Sequence, residues 1–461
     1  MNLVILQQMS SKKIVLVDLQ YPYGKQKVYM NGSLLTFAAQ LMAAGHTVDI
    51  VDLNVDCIAD DRVSGLFAKA QVVGVSVVGC PYFPQVVQFC QYVAENYPNV
   101  QVVLGGQVIR GLSQDEFRRI FGKRAIQAAT EEDCAEVFGV LPNAFVVPFQ
   151  PVWERMGDKR LRLYLAREFA LVLSQGCIFN CHFCAARKNE REQHRLLGLF
   201  RQDLEFLRDK AKAFGLTSLE CYASALDFFQ NPESVAEYMR VLAEVFGGSG
   251  VKFRMRVLSC MNTFLKASRT IPNFGELVRC SGLWCVGFGV DGPDESVWKE
   301  QNKIQNHTSD VVECLDECGR LGLRSEVLMI MAYPANGIKD LWATVRNSYR
   351  YARRWPNVVL RPYLAKVLLP GNLGWLIRPA DIEKLIFDPR KFYNLDLCAF
   401  ASPITHPRRW QRWLANISYL AVILGLGPLG KCATSPLLPQ GQGGLYGWFA
   451  SKINRYMPFD R

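Results

Sequence analysis

Leu171-Val-Leu-Ser-Gln-Gly176-Cys177-Ile-Phe-Asn-Cys181-His-Phe-Cys184 is the stretch on which the reading of this chain turns. A short apolar run of strand type leads into a loop carrying three cysteines as C-x3-C-x2-C, with an aromatic, Phe183, before the last. Cysteine supplies fifteen of the 461 residues; at that frequency such a triple arises by chance roughly 0.02 times in the chain, so it is read as a ligand set. Three closely spaced thiolates suit three irons of a [4Fe–4S] cube, which normally takes four cysteines, and the fourth iron is left open to a chelating substrate. Two other readings stand beside this one: a structural zinc site with His182 as the local fourth ligand, and coincidental core cysteines.

The composition around the triad is that of a folded chain. Half of the residues are hydrophobic and 21% are charged, which excludes disorder and a fibre and implies two or three domains. Met1 to Lys13 has too short an apolar stretch and no small-residue cleavage site for a secretory signal, so a disulfide framework is not expected. A cytoplasmic location is expected, and the other twelve cysteines need no role beyond packing. The net charge is +11, and from Leu376 onward eleven Lys/Arg face five Asp/Glu. That basic tail reads as a solvated surface, or as the footprint of a membrane surface, an acidic substrate or an acidic partner. No run of about 18 apolar residues is present to span a bilayer.

Downstream of the cysteines, strand and helix patterns alternate. Helices are expected over Leu199–Lys212, Val235–Phe246, Leu265–Leu277, Val311–Leu321 and Leu341–Arg353, and strands over Ser218–Tyr222, Lys252–Ser259, Leu283–Asp291, Ser325–Met331 and Val358–Ala365. With the strand that leads into the cysteine loop, the six strands and their helices make a partial (β/α)6 barrel whose sites gather at the strands' C-terminal ends. Upstream, strands at Lys13–Asp18, Val48–Leu53, Val72–Val78 and Val100–Leu104 alternate with helices, one through Leu34, Ala38, Leu41 and Met42 and one over Val86–Tyr97. This is a doubly wound, Rossmann- or flavodoxin-like parallel sheet. Ala125–Val137 is polar and irregular for a fifth strand.

These motifs resemble the cobalamin-binding branch of the radical S-adenosylmethionine (SAM) superfamily. In the first 140 residues, Ser76-Val77-Val78 followed by Gly105-Gly106 is similar to the family's Ser-x-Leu and Gly-Gly signals, and glycine would let a macrocycle's nucleotide tail run close to the backbone. Gln20 stands where that family's cobalt-ligating His would be, so the resemblance implies cobalamin without a protein His below it, or else a vestigial flavodoxin-like domain that only packs against its neighbour. Val286-Gly-Phe-Gly-Val-Asp291-Gly, with Lys303 a dozen residues later, resembles the family's strand-then-helix block, Asp291 replacing Glu. Met331-Ala-Tyr-Pro334 and Leu368-Leu-Pro370-Gly371 resemble its closing turns. Ser224 and Asp227 stand where many members place Gly-Gly-Glu to hold the SAM amine. Asp227 is equally a helix cap before Asn231-Pro232. Arg254 and Arg256 alternate with Phe253 and Met255, making one strand face cationic: fit for a carboxylate of SAM or substrate, or simply exposed.

The resemblance implies an α/β chain of a cobalamin-type domain (1–140), a linker (141–164), a radical SAM domain (165–375) and a mostly helical C-terminal extension (376–461). It implies a [4Fe–4S] cluster on Cys177, Cys181 and Cys184. SAM and cobalamin would contact Ser76, Gly105, Gly106, Phe183, Ser224, Asp227, Arg256 and Asp291. The implied activity is reductive SAM cleavage to a 5′-deoxyadenosyl radical and methylation of an unactivated carbon. The alternatives are cyclisation, rearrangement or oxidation by the same radical, or a non-catalytic cluster or cobalamin carrier. A methylthiotransferase fits less well, because Cys57, Cys80 and Cys90 do not form a set at strand ends. An apolar or lipid-like small molecule bearing an acid, and a flavodoxin- or ferredoxin-like electron donor, are the expected partners; nucleic acid is not. Pro407 to Ile417 sets arginines and tryptophans beside a short apolar run, which reads as a helix lying on a membrane or as one closing the barrel. Gly441–Gly447 reads as a loop.

Overall fold

The computed structural model describes residues 11–20, 29–77, 79, 82–139, 141–184, 186, 190–334, 336–365, 405–406 and 408–433. The expected Leu368–Gly371 turn, the Gly441–Gly447 loop and Cys80 lie outside the described residues.

The first sheet contains β1 (Lys13–Asp18), β2 (Thr47–Asp52), β3 (Val72–Ser76), β4 (Gln101–Gly105) and β5 (Ala125–Ala128), all parallel in the order β2-β1-β3-β4-β5. Its helices are α1 (Gly32–Ala43), α2 (Asp61–Lys69), α3 (Phe83–Asn96), α4 (Gln114–Phe121) and α5 (Glu131–Phe138). The order reverses at β1, between the β2 and β3 connections, and that reversal opens a crevice at the strands' carboxyl ends. Ala125–Ala128, which looks too polar for a strand, pairs with β4 at the sheet edge, where one side needs no neighbour. The polar residues after it form α5, with Thr130 and Asp133 closing a capping box at its start.

The stretch expected as a linker is helical. It forms α6 (Gln150–Met156) and α7 (Asp158–Leu165), and both rivet the two halves of the chain together. Arg160 donates to the Ile50 carbonyl and to Asp56 at 2.5 Å, Tyr164 donates to Asp52 at 2.6 Å, and Arg155 makes a two-pronged pair with Asp49 at 2.9 Å.

The second sheet is a sequential arc of six parallel strands, β6 (Glu168–Val172), β9 (Ser218–Ser224), β10 (Lys252–Ser259), β11 (Leu283–Gly289), β12 (Arg324–Ile330) and β13 (Val358–Tyr363). The two-residue strands β7 (Ser174–Gln175) and β8 (Gln193–His194) pair separately and antiparallel. The arc's helices are α8 (Leu197–Ala213), α9 (Pro232–Phe246), α10 (Met261–Thr270), α11 (Phe274–Ser281), α12 (Glu295–Glu300), α13 (Thr308–Arg320) and α14 (Ile338–Arg354), followed by α15 (Arg409–Leu426). One helix was expected over Leu265–Leu277. Two form there, because Pro272 breaks the backbone pattern and Asn273 turns left-handed at φ 53°.

One apolar cluster holds α1 against the arc: Leu34, Leu35 and Ala38 share it with Leu171, Val172 and Leu204. A second joins the exits of both sheets, combining Val77, Phe83 and Val108 with Ile330, Tyr333 and Ala365.

Candidate active site

The site begins where β6 ends. β7 and β8 close the base of the cysteine loop, Ser174 opposite His194. Gly176 takes φ +100°, and a Cβ there would stand 2.8 Å from the Arg191 carbonyl, so only glycine lets the outgoing chain pass its own return. Above this base, Glu190 N–H donates to the Cys177 carbonyl at 3.2 Å and Cys184 N–H to the Cys181 carbonyl at 3.1 Å. Glu192 ties the base to the second strand, accepting from Ser174 Oγ at 2.5 Å and from Gln230 Nε2 at 3.1 Å, while Gln230 Oε1 accepts from Ile178 N–H.

The far side of the loop is held by the block after β11. Asn302 donates to the Asn180 carbonyl at 2.7 Å, His182 N–H to the Gln301 carbonyl at 2.8 Å, and Gln305 reaches Cys181 Sγ at 3.8 Å. The His182 ring is engaged through Nδ1 by the Glu300 carbonyl at 3.0 Å, so this residue joins the loop to α12. Among the described residues no three His, Cys, Asp or Glu converge as ligands of one ion would; thiolates on separate corners of a cube stand further apart. Burial pushes the Cys177 thiol up to about 12 and raises Cys181, whose shift Lys303 opposes. Both are neutral thiols until a metal takes the proton's place.

Lys303 is the buried cation of the site. Its ammonium donates to the Gly289 carbonyl and to Asp291 Oδ2, and Tyr363 donates to Asp291 Oδ1. Burial alone would lower the Lys303 pKa, but the Asp291 charge, the Cys260 and Cys181 thiols and the Asp291 hydrogen bond together outweigh it and the net shift is upward. Lys303 Nζ also lies 5.8 Å from the centre of the Phe183 ring. A Cβ on Gly289 would meet that nitrogen at 2.7 Å. Asp291 stands within electrostatic reach of Cys181, and both of its oxygens are engaged by side chains, which makes it the anchor of Lys303. Tyr363 carries no local sequence signal; only the sixth strand's position in the arc brings it here.

Asp227 caps a helix, though not the one expected. Its Oδ1 accepts from Ser259 Oγ at 2.9 Å, Cys260 N–H at 3.1 Å and Thr263 Oγ1 at 3.0 Å, so it caps α10, whereas Asn231 caps α9. Its Oδ2 is buried without a hydrogen-bond partner. Burial, opposed by those three hydrogen bonds, raises its pKa to about 6. The Asp227 charge acts on Cys177 and on Cys260, a thiol beside the triad that the sequence does not single out. Ser224 ends β9 directly beside Val172, one strand from the loop.

Arg256 is ion-paired within the arc. Its guanidinium meets Glu168 in two bonds of 2.9 Å and Glu326 at 3.5 Å, and Arg254 meets Glu220 at 2.8 Å. The cationic face of β10 is thus answered by carboxylates on other strands of the arc, Glu220 on the adjacent β9 and Glu168 and Glu326 two strands away on β6 and β12, which the sequence could not show because those partners lie 34 to 88 residues away.

In the first sheet, Ser76 and Gly105 are paired in register at the exits of β3 and β4. Gly106 follows at φ +102°, where a Cβ would stand 2.6 Å from the Val77 carbonyl oxygen. The close approach that demands glycine is therefore the chain's own; Gly105 has ordinary contacts, with Ala128 O at 3.4 Å. Gln20 is exposed just after β1. Phe183, next to the last cysteine, packs into the apolar cluster that joins the two sets of strand exits.

No family model matches the sequence, and no curated protein matches it. Solved structures do. OxsB, a cobalamin-dependent S-adenosylmethionine radical enzyme solved with aqua-cobalamin and S-adenosylmethionine, superposes with a TM-score of 0.59 at 13% identity over 83% of this chain and 56% of that one. The fold is that of the cobalamin-dependent radical SAM enzymes. TsrM from Kitasatospora setae, a radical S-adenosylmethionine methyltransferase solved with cobalamin and a [4Fe-4S] cluster, superposes with a TM-score of 0.57 at 15% identity, covering 77% of this chain and 75% of that one. The chain thus spans 56% of the length of OxsB. At these identities the likeness is one of architecture, and the doubly wound sheet and the six-stranded arc are both part of it.

Proposed function

We propose that the chain is a cobalamin-dependent radical SAM enzyme that methylates an unactivated carbon. The observation that carries this reading is the cysteine loop at the first strand exit of the arc, packed through Phe183 against the exit end of the doubly wound sheet. The fit is chemical as well as topological: three thiols, an orphaned buried carboxylate oxygen and a buried ammonium surround one place. When bound, a [4Fe–4S] cluster with one open iron supplies a 5′-deoxyadenosyl radical from SAM on reduction, and cobalamin supplies a methyl carrier.

The chain's own residues do the holding. Cys177, Cys181 and Cys184 would take three irons. Asp227 Oδ2 would accept from the SAM ammonium, giving the buried oxygen its missing donor. Lys303 sets positive charge beside Cys181 and so favours the thiolate. Ser76, Gly105 and Gly106 would line the path of a cobalamin tail, and Phe183, Tyr333 and Ile330 exclude water between the two exits. An acyclic or cyclic substrate C–H without acidity offers no proton to a base, which is why radical chemistry suits the task.

Anaerobic reconstitution with iron, sulfide and cobalamin, followed by reduction in the presence of SAM, tests the reading. The expected products are 5′-deoxyadenosine and, from methyl transfer, S-adenosylhomocysteine. An intact cluster that yields neither overturns it, and 5′-deoxyadenosine alone would leave radical chemistry without methylation.

A further inference from the structure

Helices α14 and α15 carry an outward face that the site does not use. Trp410, Trp413, Ile417 and Leu424 recur at helical spacing on one side of α15, exposed by 45%, 64%, 42% and 51%. The opposite side, with Ala415, Tyr419, Val422, Ile423 and Leu426, is buried against the arc, so this helix already has its intramolecular partner. On α14, Ile338 and Trp342 are exposed by 62% and 68%.

The two helices run side by side in the same direction. The start of α15 lies by Tyr333, after the exit of β12, through a His406 contact with the Tyr333 backbone; its end lies by Pro356, whose carbonyl accepts from Lys431. Tyr349 on α14 donates to the Ala421 carbonyl on α15 at 2.8 Å. Two turns earlier on each helix stand Trp342 and Leu414, which puts Trp342 level with Trp413. Three exposed tryptophans thus gather at the ends of the helices nearest the strand exits.

The charge around them is predominantly positive, with Asp340 and the Glu300 on which its charge acts as the nearby acids. Thr405 to Ala433 contains no Asp or Glu. Arg408 and Arg409 are exposed at the start of α15, and Lys339, Arg346 and Arg350 are exposed on α14. The acid of that helix's first turn, Asp340, accepts from Gly337 N–H as a cap. Tryptophan is the side chain that prefers the boundary between headgroups and acyl chains, and arginine is drawn to anionic headgroups. Among the described residues no helix is long and apolar enough to cross a membrane, so this pattern fits a helix lying in the surface.

We propose that the face formed by Ile338, Trp342, Trp410, Trp413, Ile417 and Leu424 docks on an anionic phospholipid surface. This stands apart from the proposed chemistry and needs neither cluster nor SAM. Flotation of the full chain with phosphatidylcholine vesicles containing phosphatidylglycerol should recover the protein, with about tenfold weaker binding to phosphatidylcholine alone. The pair Trp410→Ser/Trp413→Ser and the pair Arg408→Glu/Arg409→Glu should each lose about tenfold in affinity while keeping the wild-type melting midpoint. Quenching of wild-type tryptophan fluorescence by brominated lipid reads insertion without any variant. Failure of the wild type to float, absence of quenching, or a concentration-dependent dimer that Trp413→Ser dissolves would overturn the proposal, the last by assigning the face to a second copy of this chain.

Discussion

Lys303 and Asp291 set opposite charges into an interior where neither is tolerated alone. Replacing Lys303 with Met leaves Asp291 buried with only Tyr363 as donor, and denaturant unfolding should report a loss of about 3–5 kcal/mol. Adding Asp291→Asn should restore much of that stability, since no charge is then left without a partner. Asp227 makes a different prediction. Its Oδ1 holds three donors at the start of α10, so Asp227→Ala should cost about 2–3 kcal/mol by the same measurement, whereas Asp227→Asn keeps the acceptor and should stay within about 1 kcal/mol of wild type. SAM-cleavage activity should separate the two roles of Asp227, because the Asn variant keeps the cap but loses the anionic oxygen.

The cysteine loop depends on its hinge at Gly176 as well as on its thiols. A methyl group there meets the Arg191 carbonyl at 2.8 Å in a left-handed backbone conformation, so Gly176→Ala should force the loop's arms apart. The expected outcome is reduced iron and sulfide retention after reconstitution, with far-UV circular dichroism unchanged, since β6 and the arc lie before the hinge and beneath it. Much of this loop was legible beforehand: a buried strand, a glycine and three cysteines are local features. Its anchoring was not. Nothing in the spacing of Asn302, Gln301 and Gln305 says that they grip a loop more than a hundred residues earlier.

The two halves meet along α1, α6, α7 and the strand exits, and stability there is expected to depend on pH. Asp18 and Asp52 end β1 and β2 in register, and Tyr164 of α7 donates to Asp52 at 2.6 Å. Burial first, and the Asp52 charge second, push the Asp18 pKa up to about 7 from 3.8. The folded chain therefore holds a proton that the unfolded chain releases near pH 4, so this group's contribution to stability falls as pH rises from about 4 to about 7. Asp18→Asn removes that dependence. At about pH 8 it should unfold later than wild type, by up to ~4 kcal/mol, and melting curves at about pH 5 and pH 8 should show the gap widening with pH. The stretch 141–164 looked like a linker because short amphipathic helices rich in Arg and Pro leave little periodic signal; it became an interface because Arg155 and Arg160 find acids on β2 and beyond it.

Local pattern was enough for the alternation of strands and helices, the parallel sheets it demands, the three-cysteine loop and the glycines around it. These follow from short-range physics: side-chain periodicity, backbone sterics and the ligand chemistry of neighbouring thiols. The fate of the charged residues was decided by tertiary structure. Arg256 was drawn to Glu168, Asp291 to Lys303 and Tyr363, and Asp227 to a helix other than the nearest one. A buried charge is stable only with a partner, and the folded arc supplies it across strands: Glu168 on β6 stands two strands from Arg256 on β10 and 88 residues away along the chain.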